Sequence, residues 1–325
     1  METLADLGEI ELLHRLECYA PPGQFSDDTA LVTGGTAGLL VNSDVLVEGT
    51  HFSDCTISPY DLGWRAVAVN ISDLVCSGAD SVIGITVTLV APPSTPWSWV
   101  ASVYDGLYEA LKACDAELLG GDCSAGGERL LAVTALGNAG PLRLHRGQAR
   151  PGDILVTAGP HGLSKLGLAL LRSETLPYKS AIPIELRYRA IRAHCRPAIK
   201  LNVMRSLLTA HPPGLPWRAA GTDSSDGLLE AVRSLCRSSK CQAILNRLDL
   251  PRAPGWPADG IWDYWCLEGG EDFEPVLSLP PTWAQAWLRA VPDAVRIGSM
   301  QAGPATVLWS TGEEIANVLG YQHFV

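Results

Sequence analysis

The sequence predicts an α+β fold with two domains, each of which mixes strands with helices. The chain has 325 residues, which is enough for two domains of ordinary size. Hydrophobic residues make up 47% and charged residues 18%, a balance typical of a globular chain. Apolar runs of strand length alternate with helical patterns in the same rhythm in both halves. We expect an N-terminal domain over residues 1–140 and a C-terminal domain, a sheet with flanking helices, over residues 141–325.

Charge and composition argue against several classes of protein. The net charge of −11 argues against nucleic-acid binding, which needs a basic surface. The sequence has no run of about 18 uninterrupted apolar residues, so we predict no membrane span. Its acidic N-terminus does not resemble a signal peptide. The nine cysteines are scattered, odd in number and without a C-x-x-C pair, which favours reduced thiols in a cytoplasmic protein.

Carboxylates recur beside apolar segments. The run 38–41 predicts a buried strand, and Asn42, Ser43 and Asp44 follow at its expected end. A single Ser-Asp pair is typical of a turn or a helix cap. Acidic residues recur, however, at element boundaries or in apolar or glycine-rich settings: Asp27, Asp28, Asp73, Asp122, Asp223 and Asp226. Because an unpaired charge is costly in such surroundings, the recurrence indicates shared cations, although the last two also fit helix caps.

The segment 59–76 predicts a buried helix. Ser58 suits the N-cap and Pro59 the first helical position, and apolar residues surround nearly the whole helix. Asn70 and Asp73 are three residues apart and therefore share a face. Either they hydrogen-bond to a neighbouring loop, or Asp73 faces a metal ion.

Hydrophobic periodicity predicts the remaining elements. In the first half we expect helices over 7–20 and 95–114 and strands over 81–90, 116–119 and 130–136. In the second half we expect strands over 153–157 and 242–245, and helices over 163–172, 184–210 with a break near 197, and 228–236. The glycine pair at 120 and 121 is expected to form a tight turn or to let the backbone approach a phosphate. The aromatic segment 256–265 is expected to be a loop.

The ligand types favour magnesium. Oxygens of Asp, Ser and Asn without a His/Cys cluster suit Mg²⁺ rather than Zn²⁺, and Mg²⁺ is usually shared with substrate phosphates. The sequence contains neither a Walker motif nor the protein-kinase motif set. We therefore expect multi-metal phosphoryl transfer that depends on positioning and charge neutralisation, with Arg146 among the phosphate contacts.

Seven motifs in a fixed order resemble one known family. They are DDTAL at 27–31, SDVLVEGTHF at 43–52, AVNISDL at 68–74, GGD at 120–122, RPGD at 150–153, SDGL at 225–228 and GGEDFE at 269–274. The chain resembles, nearly end to end, the thiamine-monophosphate kinases. These share an ATP-binding superfamily with aminoimidazole ribonucleotide synthetase and selenophosphate synthetase.

The resemblance implies an activity and a set of site residues. The activity is transfer of the ATP γ-phosphoryl group directly onto thiamine monophosphate, the last step of thiamine diphosphate biosynthesis. Several Mg²⁺ ions are implied at Asp28, Asn42, Ser43, Asp44, Asp73, Asp122, Asp223 and Asp226. ATP contacts are implied at Tyr104, Gly121, Arg146 and Ser225, and substrate contacts at His51, Glu271 and Tyr321. No catalytic residue beyond these ligands is implied, and the family forms homodimers whose N-terminal sheets pair.

The chain departs from the family pattern at a few positions without losing a carboxylate, and other members of the superfamily are the alternatives. Ser26 and Cys123 replace the usual Gly and Thr beside Asp-Asp and Gly-Gly-Asp, which affects the expected loop geometry. The hydrogenase-maturation relative ends in a reactive Cys, whereas this chain ends in Phe324-Val325. Selenophosphate synthetase needs a reactive Cys or selenocysteine near its N-terminus, usually with Lys, and Cys18 has no neighbouring Lys. A non-catalytic nucleotide sensor is the alternative from another class, although such a protein would need fewer metal ligands.

Overall fold

Two β-sheets organise the chain, one in each half. The computed structural model describes residues 11, 14, 27, 29–32, 38–174, 176, 182–257 and 260–315. The first sheet has the order β1-β2-β5-β3-β4, with β1 Ala30–Val32, β2 Leu39–Val47, β3 Ala79–Ala91, β4 Glu117–Ala125 and β5 Leu130–Ala139. The second has the order β11-β8-β10-β6-β9-β7, with β6 Ile154–Thr157, β7 Ala220–Thr222, β8 Gln242–Leu245, β9 Val276–Leu279, β10 Val295–Gln301 and β11 Val307–Trp309.

Each sheet is antiparallel except at one edge. At those edges β4 runs parallel to β3, and β11 runs parallel to β8. The mixture of such sheets with helices confirms the predicted α+β class. The predicted division at residue 140 falls in the connection between the two sheets, and two separate domains remain a prediction.

Eight α-helices lie within the described residues. They are α1 Pro59–Cys76, α2 Trp97–Lys112, α3 Leu163–Leu171, α4 Ile184–Cys195, α5 Leu201–Thr209, α6 Leu228–Ser239, α7 Gly260–Glu268 and α8 Pro281–Ala290. The first has the predicted bounds, and its N-cap Ser58 accepts a hydrogen bond from the amide of Asp61 (3.1 Å). The expected break near Pro197 is confirmed by the separation of α4 from α5. None of the described helices is both long and apolar enough to cross a membrane.

The largest hydrophobic core joins the two halves. It contains buried residues of the first sheet and of α1 and α2, such as Leu40 and Ile71. It also contains residues of the second half, among them Val156 in β6, Leu277 in β9 and Trp283 in α8. The helix α1 therefore packs between both sheets and can bring side chains from one half to the other.

Three predictions about elements are wrong. The strand expected to end at Val41 continues to Val47, because β5 pairs with it along its whole length. The strand β4 runs through Gly120 and Gly121 without a tight turn, because β3 continues beside it as a parallel partner. Part of the aromatic loop is the helix α7, whose Trp262 is buried in a core with α3 and α4. The helix expected over 7–20 lies almost entirely outside the described residues.

Candidate active site

A cavity of about 530 Å³ opens between the two halves of the protein. The first half contributes the end of β2, the loop that follows it and α1, and the second half contributes α3, α4 and the loops before α6 and after α7. Five residues predicted to belong to the site line this cavity: Asp44, His51, Ser225, Asp226 and Glu271. Residues that are more than 150 positions apart in the sequence therefore meet in one place, as the predicted shared site requires.

The turn after β2 fixes the orientation of His51. The His51 amide donates to the Val47 carbonyl (2.8 Å), and the Val47 amide donates back to His51 Nδ1 (3.1 Å). Gly49 has φ of +81°, a backbone conformation that glycine adopts without strain. Because Nδ1 is an acceptor, the proton of the neutral ring lies on Nε2, which can donate a hydrogen bond.

The Asn70–Asp73 pair of α1 faces Asn42 of β2. Asn42 Nδ2 donates to Asp73 Oδ2 (2.9 Å) and to Asn70 Oδ1 (3.2 Å). The predicted hydrogen bond is therefore present, but its donor is a strand residue rather than a loop. Asn42 is 6% exposed, and its Oδ1 is buried without a hydrogen-bond partner among the described residues. A buried amide oxygen in this state is suited to accept a cation.

Asp223 connects the second half to the same helix. Ser72 Oγ donates to Asp223 Oδ2 (2.6 Å), and Ser225 Oγ donates to Asp223 Oδ1 (2.8 Å). Asp223 is 4% exposed. Since Ser72 precedes Asp73 in α1, the carboxylates of Asp73 and Asp223 are both linked to the C-terminal part of one helix.

Glu271 reaches the cavity with its carboxylate already paired. Arg65, which is 1% exposed, forms an ion pair with Glu271 and donates to the His194 carbonyl (3.0 Å). Burial raises the pKa of Glu271, but its neighbours, above all the Arg65 guanidinium, outweigh this and hold that pKa below its usual value. Burial, together with Arg65, lowers the pKa of His194 to about 4, so this ring is neutral at pH 7.

Several residues of the cavity were not predicted from the sequence. Arg65, Lys165, Arg172, His194 and Glu268 line it and have no place among the predicted site residues. Arg65 could have been found, because a single arginine in a helix that is apolar nearly all round needs a buried partner. The others follow no motif, and only the packing of α3 and α4 beside α1 places them at the site.

Other predicted residues lie away from this cavity. Ser43 points from the opposite face of β2, where its Oγ donates to the Val133 carbonyl (3.0 Å). Gly121 and Asp122 are exposed on β4, the edge strand of the first sheet. A Cβ atom at Gly121 would lie 1.8 Å from the Val87 carbonyl oxygen, so the close approach of β3 by itself requires glycine there.

The other two residues predicted to contact ATP, Tyr104 and Arg146, are also outside the cavity lining. Tyr104 is half-buried on α2, where burial and then Cys123 raise the pKa of its hydroxyl. Arg146 Nε donates to Thr222 Oγ1 (3.2 Å), next to Asp223. Asp28 and Tyr321 lie outside the described residues.

The described residues do not form a complete metal cage. No group of three His, Cys, Asp or Glu side chains among them is arranged to hold a metal ion. The donor set is nevertheless suited to Mg²⁺, because this ion usually takes one or two carboxylates and completes its shell with waters and substrate phosphates. The partnerless Oδ1 of Asn42, beside Asp73, agrees with such a partial site.

Comparison with known proteins identifies the class and then the family. Residues 26–139, which include the first sheet, match the model of the N-terminal domain of AIR synthase related proteins, and so define the class. The chain is 53% identical to the thiamine-monophosphate kinase of Prochlorococcus marinus over 99% of this chain and 98% of that protein. It is 43% identical to that of Synechococcus elongatus, with the same coverage of both proteins. The chain therefore belongs to the thiamine-monophosphate kinase family.

The fold agrees with this family. A solved structure of AaThiL complexed with AMPPCP and TMP superposes with a TM-score of 0.85 at 25% sequence identity. The match covers 99% of both chains, so it includes both sheets and the cavity between them.

Proposed function

We propose that this protein transfers the γ-phosphoryl group of ATP to thiamine monophosphate and so produces thiamine diphosphate and ADP. The observation that supports this most strongly is the cavity, where Asp44, His51, Ser225, Asp226 and Glu271 meet in a chain of this kinase family. AMPPCP, an ATP analogue, and TMP are bound together in the similar AaThiL structure, as a donor and an acceptor would be. This reaction completes thiamine diphosphate biosynthesis.

We propose that the protein binds several Mg²⁺ ions through acidic residues in the cavity, Asp44 and Asp226, and through motif residues outside its lining. The residues that would hold them are those of the sequence motifs: Asp28, Asn42, Ser43, Asp44, Asp73, Asp122, Asp223 and Asp226. When bound, magnesium neutralises the phosphate charge that otherwise opposes in-line transfer. Tyr104, Gly121, Arg146 and Ser225 would contact the nucleotide.

The protein's own side chains would bind and orient the acceptor. His51 offers the Nε2–H donor that the turn after β2 orients, and Glu271 offers a carboxylate that Arg65 keeps ionised. Tyr321 would contact or cover the thiamine rings. A phosphate monoester is already largely ionised at pH 7, so the attacking oxygen needs no general base. This agrees with a site whose residues act by positioning and charge neutralisation rather than by proton transfer.

We propose that the protein is a homodimer whose first sheets pair across a two-fold axis. All nine residues of β4 are exposed at the edge of this sheet, including Leu118 at 45% and Leu119 at 46%. An open edge strand with apolar side chains is normally covered by a partner.

A cytoplasmic location is supported by the eight described cysteines, all of which are free.

The direct test is a transfer assay with purified protein, ATP, Mg²⁺ and thiamine monophosphate, scored for thiamine diphosphate. The expected result is product formation that EDTA abolishes and added Mg²⁺ restores. ATP binding without any thiamine diphosphate would contradict the proposal and would favour the reaction of another superfamily member.

A further inference from the structure

We infer that the side chain of Arg172 binds the phosphate group of the acceptor and makes the cavity select a phosphorylated acceptor over the free alcohol. This inference rests on the proposed function and adds a specificity-determining residue to it. It comes from the distribution of charge in the cavity and from the partners that each cation has.

The charged residues that line the cavity come from several different elements. The carboxylates Asp44 and Asp226 come from the end of β2 and from the loop before α6. The cations come from α1 and from α3 with its C-cap residue: Arg65, Lys165 and Arg172. An acceptor with a phosphate at one end therefore meets cations as well as carboxylates in this lining.

Two of the three cations are already neutralised by neighbouring carboxylates. Arg65 forms an ion pair with Glu271, and Lys165 forms an ion pair with Glu268. The Lys165 ammonium also lies 5.3 Å from the ring centroid of Trp265. The charges of Arg65 and Lys165 are therefore already balanced by carboxylates before a phosphate enters the cavity.

Arg172 differs from these two cations. Its backbone is fixed at the end of α3, where its amide donates to the Leu168 carbonyl (2.9 Å). Its side chain lines the cavity, and it is close enough to His194 to contribute to the lowered pKa of that ring. Within the described part of the chain, the Arg172 guanidinium has neither an ion-pair partner nor a hydrogen-bond partner.

An anionic ligand would complete the surroundings of Arg172. The helix dipole favours a cation at the end of α3, but it does not require the side chain to face the cavity. A guanidinium presents a planar set of donors that matches the oxygens of a phosphate, and the resulting charge-assisted bonds are strong. Two carboxylates of the lining, Glu268 and Glu271, are engaged by other cations, and an anion from solution is a suitable partner for the Arg172 guanidinium.

The position of Arg172 favours the acceptor rather than the nucleotide. His51 and Glu271, which match acceptor-binding positions of the family, line the same cavity. Arg172 and His194 both line this cavity, and His194 Nδ1 lies 3.6 Å from Glu271 Oε2. Three of the four predicted nucleotide contacts, Tyr104, Gly121 and Arg146, are not part of this lining, whereas Ser225 is.

The test compares a phosphorylated with an unphosphorylated ligand in R172Q. Steady-state rates give KM for thiamine monophosphate and for ATP, and inhibition by thiamine gives a Ki for the acceptor without its phosphate. We expect KM for thiamine monophosphate to rise about tenfold or more, as the loss of a charge-assisted bond predicts. Because thiamine lacks the phosphate, its Ki should change less than about twofold, and KM for ATP should change as little.

Two further variants make the test specific. R192Q removes an exposed arginine on α4 that does not line the cavity, and it should leave all three constants unchanged. R172K keeps the charge but not the planar fork, so it should lose part of the affinity for thiamine monophosphate. R172K also provides the test if R172Q lacks the circular dichroism spectrum of the native protein.

Several results would overturn the inference. They are an unchanged KM for thiamine monophosphate in R172Q, an equal rise in Ki for thiamine, or an equal rise in KM for ATP. A wild-type protein that makes no thiamine diphosphate would instead contradict the proposed function. In that case, binding of thiamine monophosphate and thiamine, measured by calorimetry on wild type and R172Q, would still test the role of Arg172.

Discussion

Glu271 shows how a single residue of the cavity is held in place by its backbone and by an ion pair. Its φ is +66°, an uncommon conformation for a residue other than glycine, and its amide donates to the Ser225 carbonyl (2.6 Å). The ion pair with Arg65 then keeps the carboxylate charged despite burial. The backbone and the guanidinium together fix both the position and the charge of a group that would face the acceptor.

At the residue scale, Asp44→Asn tests the proposed metal site. The substitution keeps the size of the side chain but removes the negative charge that a divalent ion requires. We expect turnover to fall on the order of a hundredfold or more, while the far-UV dichroism stays native. Asp105→Asn, at an exposed position on α2, serves as the control and should keep full activity. Wild-type turnover in Asp44→Asn would refute the assignment of this carboxylate.

His161 predicts part of the pH dependence of stability. It is fully buried, and burial lowers its pKa to about 3. An unfolded histidine titrates near 6.5, so below about that pH the unfolded chain binds a proton that the folded protein does not. The contribution of His161 to stability is therefore lost progressively as the pH falls from about 6.5 towards 3.

Comparison with His161→Gln isolates this contribution. The variant should show a pH dependence of unfolding free energy that is shallower by up to about 1.4 kcal/mol per pH unit below 6.5. Urea unfolding at several pH values between 4.5 and 7.5 gives both curves. Asp272, whose pKa burial raises to about 7, acts in the opposite direction, but it does so in both proteins and cancels in the difference. If the unfolding free energy has the same pH dependence in both proteins, His161 does not cause the loss of stability at low pH.

At the scale of elements, two glycines determine how closely α1 and α2 approach. A Cβ atom at Gly63 would lie 1.9 Å from the Val103 carbonyl oxygen, and one at Gly106 would lie 1.9 Å from that of Tyr60. These contacts are to backbone atoms, which cannot move aside as a side chain can. The pair therefore sets the separation of α1 from α2, and with it the position of the helix that carries Asp73.

The effect of Gly63→Ala on stability depends on a gain in helix propensity and a loss from overpacking. Alanine is favoured over glycine in a helix by about 1 kcal/mol. The backbone clash costs more than this, since even moderate overpacking costs about 1–3 kcal/mol. We expect a net loss of about 2 kcal/mol in unfolding free energy, measured by urea denaturation. Gly127→Ala is the matched control: its Cβ would meet no atom within 4 Å, so stability should not fall. An equal effect of the two substitutions would argue against the close helix crossing.

At the scale of the whole molecule, the cavity depends on contact between the two halves. The largest core contains residues of both sheets, so neither half can move away without exposing apolar surface. The carboxylates of Asp73 and Asp223 are linked to one helix although they belong to different halves. Donor and acceptor ligands bound between the halves would therefore meet a site that is already assembled.

The proposed dimer can be tested at the open edge of the first sheet. Leu118→Lys places charges in the proposed interface, where like charges would oppose each other across the two-fold axis. Light scattering should then give the mass of one 34.6 kDa chain, whereas the wild type should give twice that mass. Leu248→Lys, at a residue 86% exposed in the second half, should remain dimeric. A dimer that persists in Leu118→Lys would place the interface elsewhere, and a monomeric wild type would refute the dimer.

The sequence by itself determined the family, the fold class and most of the elements. The ordered motifs, the cap at Ser58 and the apolar periodicity of α1 depend on neighbouring residues, so they can be recognised without a structure. The pairing of Asn70 with Asp73 also follows from helical spacing and is confirmed by their shared contact with Asn42.

Only the tertiary structure decided which residues meet and where several elements end. The continuation of β4 through Gly121 depends on β3, and the helix around Trp262 depends on burial against α3 and α4, which local pattern does not encode. Arg65 and Arg172 follow no motif, because their place in the cavity results from the packing of distant segments. Contacts between such segments depend on three-dimensional packing, and for this reason the cationic residues of the site could not be predicted from the sequence.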